Sequence, residues 1–281
     1  MNERPKVIQV GSSQLGRADL HEWDEDPRGL IWVWEEPLSN ATYLLGIDTA
    51  VGITGWDRSL RISADIKTDN AVIQVLRSGL GRKPDVQVAE FAAPIDHYDL
   101  AKVTNFLGRY YAGNAEDGQA LACIEMNNGG WATHETLVNR YGYLNFPVWT
   151  KIGQGLTARP TQIYGWWSNR QTRRDLWIKG MRHINGRQLV VNSPWLVEEM
   201  TDCTWDNFLA MTARGSYGNH DDRVCSMLIA IWYAHEWSLE LNPPEDDKLV
   251  VAGGPEYQAS DMTYEEMNDA VNDRWESLLG E

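Results

Sequence analysis

The acidic side chains placed to do chemistry are Asp48, which closes the apolar run YLLGID, Glu125, which closes LACIE, and the adjacent Asp221 and Asp222 ahead of RVCSMLIAIW. Singly, each has an ordinary explanation. Asp48 is a turn former ahead of Gly52, Glu125 a surface acid, and Asp221 with Asp222 a helix-start pair satisfying free N–H groups and the positive end of the helix dipole. Jointly they suggest more, because carboxylates at neighbouring strand ends and on a helix across from them can meet despite their separation in sequence. Such a group of oxygens suits hard divalent cations, which are held by a few carboxylates together with waters and substrate phosphate oxygens. Two ions about 3.5–4 Å apart can activate water on one side of a phosphodiester and stabilise the leaving oxygen on the other.

The elements that must position these acids can be read from apolar periodicity. LIWVWEEP, ended by Pro37, reads as an edge strand. Thr42 to Ile47 is apolar on both faces, as a central strand is, and stops at Asp48. AVIQVLR and DVQVAEF, separated by the turn-rich GLGRKP, complete an antiparallel meander. Leu100, Val103, Phe106, Leu107 and Tyr110 then recur at helical spacing between Asp96 and Tyr111, before a fourth strand from Ala120 to Ile124 ends at Glu125. A helix from Thr133 to Tyr141 and a short strand from Phe146 to Thr150 follow. Next come a helix from Arg170 to Ile184, a short strand from Gln188 to Val191, and a helix begun by Pro194 with Ser193 as cap. The last strong helix spans His220 to Trp237.

The chain has 281 residues, 43% apolar and 23% charged, which suits a globular protein with a sizeable core rather than a disordered or fibrous one. No apolar run approaches the ~20 residues of a membrane span, and MNERPKVIQV lacks the apolar centre of a secretory signal, so a soluble intracellular protein is expected. Cys123, Cys203 and Cys225 have neither disulfide-scaffold nor zinc-ribbon spacing and read as small buried hydrophobes. The 14 tryptophans are expected to thicken the core rather than to stack on bases.

A net charge of −15 counts against a nucleic-acid partner until its distribution is considered. Residues 151–190 hold Lys151, Arg159, Arg170, Arg173, Arg174, Lys179, Arg182 and Arg187 against the single acid Asp175. Beyond Ser238 the balance reverses, with LNPPEDD as a linker and an acidic helix from Met262 to Leu279 carrying Met267, Val271, Trp275 and Leu278 along one stripe. The basic stretch is either a phosphate-contacting surface or a solvated helix face. The acidic tail either packs back on its own domain, competes with phosphate for the basic surface, or docks another component. No Gly-x-x-x-x-Gly-Lys-Ser/Thr loop occurs, so ATP-driven work is expected of another polypeptide.

The motifs YLLGIDTAVG around Asp48, IEMNNGG around Glu125 and GNHDDRV around Asp222, with TRRDLWIKGMRHINGRQLVVNSPWLVEEM between the last two, resemble the nuclease domain of the large terminase subunit of tailed bacteriophages. The resemblance runs from about Leu30 to Trp237. It implies an α/β, ribonuclease-H-like fold: a mixed central sheet, an antiparallel meander plus parallel strands, flanked by helices. It divides the chain into an N-terminal segment or linker (1–29), the nuclease domain (30–240) and an acidic C-terminal tail with a helix (241–281).

In that family the strand Asp, the strand-end Glu and the helix Asp ligate two Mg²⁺ or Mn²⁺ ions. The resemblance therefore gives Asp48, Glu125 and Asp222 catalytic and metal-binding roles, with Asp48 bridging. Asp221 becomes a further ligand or supporting acid, and His220 either orients water, contacts phosphate or caps the helix. Lys151, Arg159, Arg170, Arg173 and Arg174 are the expected DNA contacts, positioning the duplex through phosphates without reading sequence. The implied activity is endonucleolytic cutting of concatemeric double-stranded phage DNA in the cytoplasm of the infected bacterium. The implied partners are the terminase ATPase domain, the small terminase subunit and the portal, with no membrane. Two departures from the family pattern stand out: a long charged insertion from Ile53 to Asn70 containing Asp57, Asp65 and Asp69, and the missing ATPase half, which makes the chain look like an isolated nuclease domain. The rival expectations are a junction-resolving or transposase-type nuclease of the same fold, and a non-catalytic DNA-packaging module.

Overall fold

In the computed structural model, the described residues are 6–8, 30–49, 70–79, 83–127, 129–152, 160–204, 208 and 221–240. Insertion residues 53–69, Arg159, His220 and the acidic tail from 241 onward lie outside them.

The centre is the meander that the apolar runs require. Strands β3 (Tyr43–Asp48), β4 (Ala71–Arg77) and β5 (Asp85–Ala93) pair antiparallel in sequence order. β6 (Leu121–Ile124) returns parallel to β3, placing Gly46 beside Cys123 and Ile47 beside Ile124. The parallel return is possible because α1 (His97–Tyr110) supplies the crossover, started by Asp96, whose carboxylate accepts from the N–H groups of Tyr98 and Asp99.

At the other edge β2 (Ile31–Val33) pairs antiparallel with β5. It is not the edge strand expected from LIWVWEEP, because β1 (Lys6–Ile8), in the stretch read as an N-terminal segment, pairs along its outer side. The order is β1-β2-β5-β4-β3-β6, with the short β9 (Leu189–Val190) lying parallel to the start of β5. This is the expected mixed sheet of antiparallel meander plus parallel strands, flanked by helices.

Strand alternation sorts the side chains into two layers. Tyr43, Leu45 and Ile47 of β3 and Ala122 and Ile124 of β6 face α1 and α2 (Gly130–Tyr141), joining Leu100, Val103, Leu107 and Leu137 in one apolar core. Leu44, Leu121 and Cys123 face the opposite way, toward α3 (Arg170–Asn185), α4 (Pro194–Asp202) and α5 (Asp222–Glu240), where Leu176, Leu196, Val224, Leu228 and Ile231 form the second core. Period two thus puts Asp48 and Glu125 on the α5 side.

The expected Phe146–Thr150 strand is present as β7 (Val148–Ile152), but it belongs to a separate hairpin with β8 (Pro160–Tyr164), a strand the sequence pattern did not signal. Cys123 and Cys225 are buried, whereas Cys203 is only partly so, and all three are free thiols. Among the described residues no helix is long and apolar enough to cross a membrane.

Candidate metal centre

Parallel pairing of β3 and β6 brings two carboxyls to one end of the sheet. Asp48 is the last residue of β3, and Glu125 follows β6 directly, its N–H donating to the Ile47 carbonyl at 2.8 Å. Both are buried, 8% and 6% exposed. The chain beyond each is held in place. The Thr49 hydroxyl donates to the Asn127 carbonyl at 2.8 Å, and Asn127 exchanges hydrogen bonds with the Ser168 backbone at 3.1 and 2.7 Å. Trp166 extends the sheet beside Glu125: its N–H donates to Ile124 and its carbonyl accepts from Met126, each at 2.7 Å. Asn169 then caps α3 in a capping box with Thr172. The loop carrying Glu125 and the start of α3 are therefore one braced unit.

α5 closes the site from above, and Gly46 sets how near it comes. A Cβ at residue 46 would lie 1.9 Å from the Ser226 carbonyl oxygen and 2.9 Å from the Ala230 Cβ. The Ser226 hydroxyl donates to the Gly46 carbonyl at 2.7 Å, pinning helix to strand. This close approach lays the first turn of α5 over the ends of β3 and β4. There the Asp222 carboxylate accepts from the Asn70 N–H at 3.1 Å.

Asp48, Glu125 and Cys225 each offer a ligand atom, all within 4.8 Å of one another. Burial, reinforced by the charge of Glu125, a hydrogen bond to it and the charge of Asp222, holds the Asp48 carboxyl well above the usual carboxylate range; Arg173 opposes the shift only in part. Burial likewise raises Asp221 and holds the Cys225 thiol well above the usual thiol range.

The donor set fits a hard divalent cation: carboxyl oxygens crowded in a dry site where, without a cation, a proton must relieve the repulsion. Asp48 and Glu125 supply the oxygens brought together for such an ion; Asp222 lies near enough for its charge to act on Asp48 but is not in that group, and Asp221 pairs with Arg173.

Of the expected cationic DNA contacts, Arg170 and Arg174 are exposed on α3 and Lys151 lies in β7. Arg173 sits elsewhere. It is 7% exposed at the side chain, pairs with Asp221 at 3.0 Å and donates to the Phe208 carbonyl at 3.1 Å, over whose ring it stacks. It faces the carboxyl cluster rather than an open phosphate surface, because the helix turns it inward one position away from Arg174.

Sequence reasoning missed three further participants. Buried Glu90 accepts from Arg223 at 3.0 Å and from Gln74 at 2.9 Å, tying the DDRV turn to the sheet. Glu199 on α4 accepts from the Val224 N–H at 2.9 Å, serving the free start of α5. Cys225, three residues beyond Asp222, shares its helix face. For Glu90 the one available signal was an acid inside a strand of buried residues; for Glu199 the sequence offered none.

The chain is similar to crystal structures of a phage terminase nuclease. The large terminase nuclease from thermophilic phage G20c with bound zinc is 16% identical over 74% of this chain and 90% of that one, at a TM-score of 0.45. With bound cobalt the figures are 19%, 74%, 89% and 0.49, and with bound magnesium 17%, 74%, 89% and 0.47. No family model matches the chain, and no curated protein sequence matches it.

Proposed function

We propose that this chain is a metal-dependent DNA endonuclease of a phage DNA-packaging terminase, cutting concatemeric double-stranded DNA by two-metal-ion phosphodiester hydrolysis with Mg²⁺ or Mn²⁺. The observation that supports the reading is the buried Asp48–Glu125 carboxyl pair at adjacent parallel strand ends, with the charge of Asp222 near enough to raise Asp48 further. Such a pair is costly to folding unless a cation is its purpose.

In this reading Asp48, Glu125 and Asp222 would hold the ions, and Arg173 holds Asp221 through their 3.0 Å ion pair. When bound, the ions supply activation of water and stabilisation of the leaving oxygen. Cys225 is no nucleophile in this reading, since its thiol is fully buried and burial holds it well above the usual thiol range. Arg170 and Arg174, with Lys151 and Arg159, contact backbone phosphates, which accords with little sequence preference. Timing in this proposal comes from the ATPase domain, the small subunit and the portal in the infected cell.

The test is plasmid nicking and linearisation with Mn²⁺ or Mg²⁺. Asp48→Asn, Glu125→Gln and Asp222→Asn should each lower the rate by about 10²–10³ or more, the scale of losing a group that stabilises transition-state charge, while circular dichroism stays unchanged. Cys225→Ser should keep most activity. Undiminished cutting by Asp48→Asn would remove the proposal, and preference for branched junctions over linear duplex would move it to a resolving nuclease.

A further inference from the structure

A second cluster of ligating side chains lies toward the opposite end of the sheet. Asp85 opens β5, His183 sits in the last turn of α3 and His235 lies on α5. Their ligand atoms all fall within 4.8 Å of one another. Because β5 runs in the same direction as β3, the start of β5 and the end of β3 lie at opposite ends of the sheet. His235 is thirteen residues beyond Asp222, about 20 Å along α5. This cluster is therefore separate from the carboxyl centre.

From these residues we propose a zinc-class divalent cation site made by Asp85, His183 and His235, with a fourth position open to solvent. The spacing supports a shared ion. His183 Nε2 lies 3.0 Å and His235 Nε2 3.7 Å from the same oxygen, Asp85 Oδ2. Zinc–nitrogen and zinc–oxygen bonds of about 2.0–2.2 Å in a tetrahedron put neighbouring ligand atoms about 3.3–3.5 Å apart, midway between those two distances.

The orientation supports it as well. Despite the 3.0 Å separation, neither Asp85 Oδ2 nor His183 Nε2 has a partner in hydrogen-bond geometry among the described residues, although both are buried. The ligand atoms lie within 4.8 Å of one another without a hydrogen bond joining His183 Nε2 to Asp85 Oδ2. Asp85's other oxygen is already engaged, accepting from the Gly79 N–H at 2.6 Å, which fixes the carboxylate with Oδ2 toward the imidazoles. A simple ion pair would need one histidine; here the two rings stand edge to face, 4.4 Å between centroids, over one carboxylate oxygen.

Two imidazoles and one carboxylate select zinc, cobalt or a similar borderline ion over magnesium, which demands oxygen ligands. His235 is 37% exposed at the side chain, giving the ion an entry path and leaving the fourth position to water. Held there, the ion joins the start of β5, the end of α3 and the middle of α5, the two helices that carry Arg173 and Asp222 at their other ends. It is a clamp on those helices rather than a second reaction centre.

The experiment uses the full chain with Asp48→Asn and Glu125→Gln, so that the carboxyl centre does not take up metal. Titration with Co²⁺ should give visible absorption of a four-coordinate site saturating at one equivalent. Zn²⁺ should displace it and raise the thermal midpoint by roughly 5 °C at a hundredfold excess over Kd. Adding His235→Ala should weaken Co²⁺ binding by more than the 10–100-fold that loss of an outer-shell partner costs. If His235→Ala proves unfolded by circular dichroism, His235→Gln at the same half-exposed position is read instead. No Co²⁺ uptake by the starting variant, or equal uptake with and without His235, would overturn the site and leave an aspartate–histidine ion pair.

Discussion

Burial makes several carboxyls of this protein hold protons more tightly than ordinary ones, and that has a measurable sign. Glu199, 8% exposed at the side chain, is pushed up to about 7 by burial and the charge of Asp222, against the Val224 N–H and Arg223. A carboxyl whose folded value is raised adds most stability below its unfolded value and loses that contribution as pH rises toward the folded one. For Glu199 the window runs from 4.5 to about 7, and Asp48 acts in the same direction. Urea denaturation in chelator at pH 5 and pH 8 should therefore show stability falling with pH. Glu199→Gln should remove about 2–3 kcal/mol of that fall; an unchanged pH slope would refute the assignment. Asp48 and Glu125 were legible in sequence because each ends an apolar run. Glu199 was not, since WLVEEM reads equally well as a helix with its acids in water, and only packing against α5 buries it.

Among the elements, the contact between β3 and α5 positions the site most directly. Gly46→Ala would drive a methyl into the Ser226 carbonyl, which is backbone and cannot rotate aside. Displacing α5 should cost about 1–3 kcal/mol or more, the range for overpacking, and should also carry Asp222 away from Asp48, so nicking falls along with the urea midpoint. Gly180→Ala is the control: its nearest neighbour is the flexible Leu228 Cδ2, so the helix itself need not move and activity should survive. Most elements were legible because their apolar spacing is regular. Two were not. β8 lies in the basic stretch without an alternating pattern, and β1 is three residues long, present because β2 offers it an unpaired edge.

For the whole molecule, the proposed function makes the segregation of charge govern how an acidic protein would approach DNA. With Arg173 committed to Asp221, the exposed Arg170 and Arg174 remain as the α3 contacts of the proposed function. Replacing both by alanine should weaken duplex binding and reduce the slope of log K against log salt by about 1.8, near 0.9 for each phosphate no longer neutralised. Arg173→Ala should instead damage cleavage and stability, because it leaves Asp221 unpaired. Fluorescence anisotropy across a salt series separates the two; equal slopes in the double variant and the parent would make α3 a solvated face.

The order and type of the central strands, the carboxyls at their ends and the helix that brings Asp222 were determined by the sequence itself. Each depends on local periodicity and on where apolar runs stop, and both survive in a linear string. What only the tertiary structure decided is which side chains share a face across elements: Arg173 turned inward, Cys225 beside Glu125, Glu199 at the start of α5, and Asp85 joined by His183 and His235. Those pairings span tens to over a hundred residues and depend on helix rotation and layer contact, which no spacing along the chain encodes.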